Sequence, residues 1–196
     1  MPPDVAVPTK RGATRRRMLV SAAELLQQCG AAGVTIDAVL ARSGAPRGSV
    51  YHHFPGGRHQ LLTEALRFAG DAIAVKIDNA ATDGGHSLLR KFVQFWDHLL
   101  SESDFTAGCP VVAAAVGSSE DDPQLTAVAG EIFARWRTPL AQAFGGDVFA
   151  GADADALATM CIASLEGAVI LRRSARSAAP LHDVAGHLEF LVKAKE

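Results

Sequence analysis

At 196 residues, 48% of them hydrophobic and 20% charged, the chain is long enough to bury a full core as one domain or two small ones. The net charge of −2 hides a division: residues 1–60 hold eight Lys/Arg and three acids (+5), and residues 61–196 hold 11 and 18 (−7), which points to a polyanionic partner for the front only. No uninterrupted apolar run nears the roughly eighteen residues of a membrane span, no apolar h-region follows Met1, and Cys29, Cys109 and Cys161 are isolated; the expectation is a cytoplasmic protein with no membrane partner.

Residues 1–11, with Pro2, Pro3 and Pro8, are expected to form a disordered arm. A first long helix follows from about Ala13 to Cys29, with Met18, Ala22, Leu25, Leu26 and Cys29 as its apolar stripe and Gly30 and Gly33 at its end. Arg11, Arg15, Arg16 and Arg17 bracket its start, where they are either a solvated face or phosphate contacts. Thr35 suits an N-cap, and Ile36, Val39 and Leu40 recur at helical spacing behind it. Gly44 sits where a left-handed residue ends a helix, and Pro46 falls at the first position of the next. That second short helix, Pro46 to His53, displays Arg47, Gly48, Ser49, Tyr51 and His52 while Val50 and Phe54 turn inward. Helix, tight Gly-bearing turn and short polar helix make a helix-turn-helix, whose second helix enters the major groove.

The run GAPRGSVYHHFPGGRHQLL resembles the DNA-binding domain of the TetR family of bacterial transcriptional repressors. Gly48, Ser49, Val50, Tyr51, His52, His53 and Phe54 match the family's run in order, and Arg58 and Leu62 match a basic residue and a leucine a little later. Pro46 and the insert Pro55 to Gly57 depart from the commonest form and look like the subgroup that answers to flavonoids and lincomycin-type drugs. The likeness is specific over roughly residues 12–66 and loose beyond. It implies a disordered arm (1–11), a helix-turn-helix domain (12–57) and a ligand-binding and dimerisation domain (58–196). Arg47 and Ser49 are expected at base edges, with Arg15, Arg16, Thr35, Tyr51, His52 and Arg58 on phosphates and Gly48 allowing close approach.

Every later segment also reads helical. A fourth helix, about Arg58 to Asp78, leaves the basic front for the acidic body and is a candidate lever between them. Asn79 to Gly85 reads as a loop. Further helices are predicted over Ser87–Ser101, Cys109–Gly117, Pro123–Phe144 with Asp122 as its cap, Asp153–Ser174 and Leu181–Ala194. Pro139 should kink or loosen the Pro123–Phe144 helix near Arg135. The fold class is all-α with about nine helices.

Aromatic walls with few polar groups suggest a drug-sized cavity lined by Phe92, Phe95, Trp96, Leu99, Phe105, Cys109, Val112, Phe133, Trp136, Leu140, Met160 and Ser164. Each of these is also a candidate for plain core. Leu157, Met160, Cys161, Ser164, Leu165, Ala168, Val169 and Leu171, with Val184, Leu188, Leu191 and Val192 from the last helix, form a broad apolar surface suited to a homodimeric four-helix bundle. Glu166 is either a partnered buried group or a rim charge. No cofactor or metal is expected: His52 and His53 point apart on a helix, and His182 and His187 are five apart rather than four. The expected function is a nucleoid-associated repressor of a pseudo-palindromic operator on double-stranded DNA, released by a small apolar effector; activation is open, and the alternative is a helical enzyme or binding protein using the same cavity.

Overall fold

The computed structural model describes residues 10–117, 122–144 and 152–193; among them are nine α-helices, one 3-10 turn and no strand. The helices are α1 (Lys10–Cys29), α2 (Ile36–Ser43), α3 (Ser49–His53), α4 (Gly57–Ala81), α5 (Gly85–Glu102), α6 (Pro110–Gly117), α7 (Gln124–Phe144), α8 (Ala152–Ala175) and α9 (Ala179–Lys193). The all-α expectation holds. Residues 1–9 of the predicted arm, and Ala194, lie outside the described residues, while Lys10 and Arg11 belong to α1 rather than to an arm.

Local chemistry accounts for the front helices. Gly30, at φ 70°, stops α1 and leads into the 3-10 turn Ala31–Gly33. Thr35 caps α2 as predicted, its hydroxyl accepting from the Ala38 N–H at 3.1 Å, and Gly44 ends α2 in the left-handed conformation. The next helix is shorter than predicted. The Pro46 carbonyl accepts both the Ser49 N–H (2.9 Å) and the Ser49 hydroxyl, closing a turn over 46–49, so α3 begins only at Ser49. Arg47 and Gly48 therefore ride on a turn.

Met18, Leu26, Val39, Val50, Phe54, Leu61 and Leu62 are buried together as the core of the front unit. From there α4 runs on against α7. At their crossing a Cβ on Gly70 would lie 2.7 Å from Ile132 Cδ1, so only glycine permits this approach. The Trp136 indole N–H donates to the Gly70 carbonyl at 3.2 Å, pinning the same crossing. Helix α7 remains continuous through Pro139. Arg135, whose carbonyl loses its partner, is on the exposed side, where water can take that carbonyl.

Helices α7, α8 and α9 pack in succession, and α5 lies on α9. Arg172 of α8 is wholly buried, paired with Asp97 of α5 and 5.7 Å above the Phe105 ring. Asp97 also takes His182 Nε2 of α9 at 3.0 Å, so one carboxylate ties three helices. One sequence reading needs correction. Residues Asp153–Ala175 of α8, with mean hydropathy 1.6, are long and apolar enough to cross a membrane by length and composition. Here that helix is packed between α7 and α9 and carries Glu166 and Arg172 into the interior.

Candidate nucleic-acid interface and ligand cavity

The turn and helix over 47–52 present an exposed polar surface. Arg47 is exposed and makes no ion pair or hydrogen bond among the described residues. Gly48 is exposed, with nothing within 4 Å of where a Cβ would stand, which leaves its backbone open to close approach. Tyr51 is 63% exposed, and His52 and Thr35 are exposed too. The Thr35 hydroxyl accepts from Ala38 but keeps its own hydrogen to donate. The Ser49 hydroxyl has spent its hydrogen on Pro46, so only lone pairs remain for a base.

Of three arginines assigned to phosphates, Arg15 and Arg58 are engaged by carboxylates of the chain and Arg16 stays exposed. Arg15 pairs with Glu64 of α4 and lies 5.0 Å over the Phe54 ring, joining α1 to α4. Arg16 lies 5.8 Å over the Phe68 ring, although it remains exposed. Arg58 is the clearest correction. Its Nε donates to the Val34 carbonyl at 2.8 Å, one terminal nitrogen donates to Ala31 at 2.6 Å, and the other reaches Asp122 Oδ2. Asp122 stands just before α7 and is buried, and its Oδ1 also takes His59 Nδ1 at 3.0 Å. Burial pushes the Asp122 carboxyl up, but the hydrogen bonds and charges of Arg58 and His59 outweigh it and hold it below the usual carboxylate range. Arg58 thus latches the turn before α2 to the start of α7. Sequence spacing marks it as a basic residue beside a helix-turn-helix, and gives no sign of a partner 64 residues away.

A cavity of about 290 Å³ lies between α4, α5, α7 and α8. Phe92, Phe95, Trp96, Trp136 and Leu140 line it, as expected from sequence. Ile73, Lys76 and Ile77 of α4, Leu88 and Lys91 of α5 and Ile162 and Glu166 of α8 are also in the wall, and the sequence had not marked them as lining residues. A partial signal for the α4 members was available: Ile73 and Ile77 are four apart on the predicted fourth helix and so share one face. The other expected lining residues lie elsewhere. Phe105, Cys109 and Val112 border a second hollow of about 550 Å³ that shares Glu166. Leu99 packs on the core, and Phe133 stacks edge-on against Trp136 at 5.4 Å. Met160 is 39% exposed on the outside of α8, and Ser164 also falls outside the cavity wall.

The expected dimer surface needs the same treatment. Leu157, Cys161, Leu165, Ala168, Val169 and Leu188 are all buried within this one chain, Cys161 and Leu165 in the cavity wall and Val169 beside the second hollow. Val184 is half-buried and packs on the core, whereas Leu191 is 42% exposed. The outward apolar face of α8 and α9 comprises Met160, Ile170, Leu171, Phe190 and Leu191. Helix α8 is apolar on two sides: the intramolecular contacts take most of the surface that the sequence had suggested for a partner, and Met160 and Leu171 of that surface stay exposed.

Glu166 is buried. Its Oε2 has no hydrogen-bond partner among the described residues. Burial pushes its carboxyl up to about 7. Burial also pushes the thiols of Cys109 and Cys161 well up, which removes them as nucleophiles.

Comparison with known proteins agrees with this geometry. The family described as "Bacterial regulatory proteins, tetR family" matches residues 18–65, and "Transcriptional regulator LmrA/YxaF-like, C-terminal domain" matches residues 87–187. The chain is similar to the HTH-type transcriptional regulator Rv0196 of Mycobacterium tuberculosis, 41% identical over 92% of this chain and 95% of that protein. It is also similar to the HTH-type transcriptional regulator LmrA of Bacillus subtilis, 28% identical over 93% of this chain and 98% of LmrA. The crystal structure of a TetR transcriptional regulator from Chloroflexus aurantiacus superposes with a TM-score of 0.79 and 26% identity, covering 94% of this chain and 96% of that one.

Two outcomes are expected from these sites. Arg58→Ala strands a buried carboxylate and frees two carbonyls, so urea unfolding should show a loss of about 2–3 kcal/mol, partly recovered by adding Asp122→Asn. The salt slope of duplex-DNA binding should keep its wild-type value, and a slope lower by about one unit would return Arg58 to the phosphates. For Glu166 the pH dependence follows from its raised carboxyl pKa. Between about 4.5 and about 7 the unfolded chain releases a proton that the folded chain keeps, so this group costs stability as pH rises. The stability difference between Glu166→Gln and wild type should therefore shift in the variant's favour by on the order of 2–3 kcal/mol from pH 5 to pH 8; a pH-independent difference would show the carboxyl is not perturbed.

Proposed function

The chain belongs to the TetR family of bacterial transcriptional regulators, and on that premise we propose that it is a homodimeric repressor released from a palindromic operator by a small aromatic effector. It is a regulator and not an enzyme. We take residues 12–57 as the DNA-binding unit and 58–196 as the sensing and pairing unit, working in the cytoplasm on the nucleoid. One observation carries the reading: α4 holds the front unit at one end, through Arg58, and lines the cavity at the other, through Ile73 and Ile77.

A ligand wedged against Ile73 and Ile77 bears on α4, and α4 cannot move without its contacts to α1 moving as well. Two copies would hold their recognition helices about one helical turn of DNA apart, the spacing that a palindrome requires. Effector binding would favour a spacing that no longer fits, and it can do so only to the extent that it binds that state more tightly. At the DNA, Arg47 is the base reader, since it is the exposed cation of the recognition segment without a protein partner. Thr35, Tyr51 and His52 are assigned to phosphates.

For the pairing surface we propose Met160, Ile170, Leu171, Phe190 and Leu191 rather than the buried stripe. Exposed apolar side chains at this density on two adjacent helices suit a four-helix bundle between two copies.

Arg47→Ala should lose about 1–3 kcal/mol on the preferred operator and relax discrimination at one base pair, read by binding to an operator and its single-base variants. Equal losses on operator and random duplex would remove it from the bases. Phe190→Asp together with Ile170→Asp should give a folded monomer by sedimentation at micromolar concentration, with operator affinity reduced by about 100-fold or more as the linked second half-site is lost. A dimer that persists would move the interface elsewhere.

A further inference from the structure

The cavity's polar groups are unevenly placed. Lys76, Asn79 and Lys91 are exposed and mark its mouth, whereas Glu166, the one carboxylate in its wall, is buried beside the buried Trp96 and Trp136. Both lysines are already engaged: Lys91 pairs with Asp83 at 2.6 Å, and Lys76 Nζ lies 4.8 Å over the Phe95 ring. Neither makes an ion pair with Glu166. Oε2 remains buried without a donor among the described residues. An acceptor left so is costly, and a methionine or leucine would fill the space without that cost. The polar groups Lys76, Asn79 and Lys91 sit at the mouth and none of them pairs with Oε2, while the inner wall is mainly aromatic and aliphatic, so a molecule in the cavity is a natural source of its donor.

We propose that the ligand of this cavity is an aromatic compound carrying a hydroxyl or amine hydrogen-bond donor, and that Glu166 Oε2 is the acceptor for it. This rests on the cavity's being the effector site and adds the chemical class of the effector. The rings lie against Phe92, Phe95, Trp96 and Trp136, which fix the plane, while Glu166 fixes which end goes in first. Such a site discriminates sharply, because a ligand of the same shape without the donor leaves the buried oxygen unpaired. A cavity of about 290 Å³ sits near the small end of the drug-sized range, which suits a ligand of two or three fused or linked rings.

The test uses full-length protein at pH 8 and calorimetric titration with two probes of nearly equal shape, 2-naphthol and 2-methylnaphthalene. Wild type should prefer 2-naphthol by on the order of 10-fold, the value of one hydrogen bond to a charged acceptor. In Glu166→Met the preference should vanish or reverse, and in Glu166→Gln, which keeps an acceptor without the charge, it should fall between. Leu140→Trp, which fills the cavity, should abolish binding of both probes. Equal affinity of wild type for the two probes, or an unchanged ratio in Glu166→Met, would overturn the role of Glu166 and leave the cavity as an effector site. Binding of neither probe to wild type would overturn the effector-site reading along with it. Should Glu166→Met not fold, the wild-type ratio and the Glu166→Gln ratio still decide.

Discussion

Asp122 is a buried carboxylate that needs partners, and the two it finds, the Arg58 guanidinium and the His59 ring, both belong to the first turn of α4. Arg58 also holds the carbonyls of Ala31 and Val34, at the turn from which α2 is launched. One guanidinium therefore bridges the DNA-facing unit and the sensing body. A buried charge cannot drift from its partner without a penalty of several kcal/mol. This makes α4 a stiff connection between the two sites, and its other fixed point is the Gly70 crossing with α7. There an absent side chain lets the helices touch, and the Trp136 indole fastens them. The same Trp136 forms part of the cavity wall, so ligand, helix crossing and latch lie along one continuous path.

Helix α8 shows how one element can serve several surfaces. Leu157, Leu165 and Ala168 build the core, and Arg172 anchors Asp97. Glu166 reaches the cavity, while Ile170 and Leu171 face outward. A helix this apolar passes for a membrane span by composition, but the buried Glu166 and Arg172 and the packing against α7 and α9 place it in the core of a folded chain. Glu166 is then a functional compromise. It lowers the stability of the resting fold at neutral pH, and it places a strong acceptor where a bound ring system can reach it.

The helical class, the order of the elements and the position of the helix-turn-helix were legible from residue spacing. They depend on interactions a few residues long: the Thr35 cap, the left-handed Gly44, and the apolar period of each helix. The exposure of Arg47, Gly48, Tyr51 and His52 was legible for the same reason, since a short segment that turns Val50 and Phe54 inward leaves its other side chains facing out. Five of the cavity's aromatic and aliphatic residues were also found, because Phe92, Phe95 and Trp96 share one turn-spaced stripe and Trp136 and Leu140 share another. The short front of α3 was not, because the bond from Ser49 back to Pro46 competes with helix at a spacing that fits both.

What only tertiary structure decided is where long-range partners fall. Arg58 reads as a phosphate ligand until Asp122 arrives from 64 residues away, and Arg15 reads likewise until Glu64 does. The two apolar faces of α8 are equivalent in sequence, and the contacts with α7 and α9 choose which one the chain keeps for itself. Glu166 faces the cavity as a buried acceptor only because helices from distant parts of the chain close around it. Local periodicity sets which residues share a face. Which face meets what is a property of the packed whole, because charge pairing and burial act through space and not along the chain.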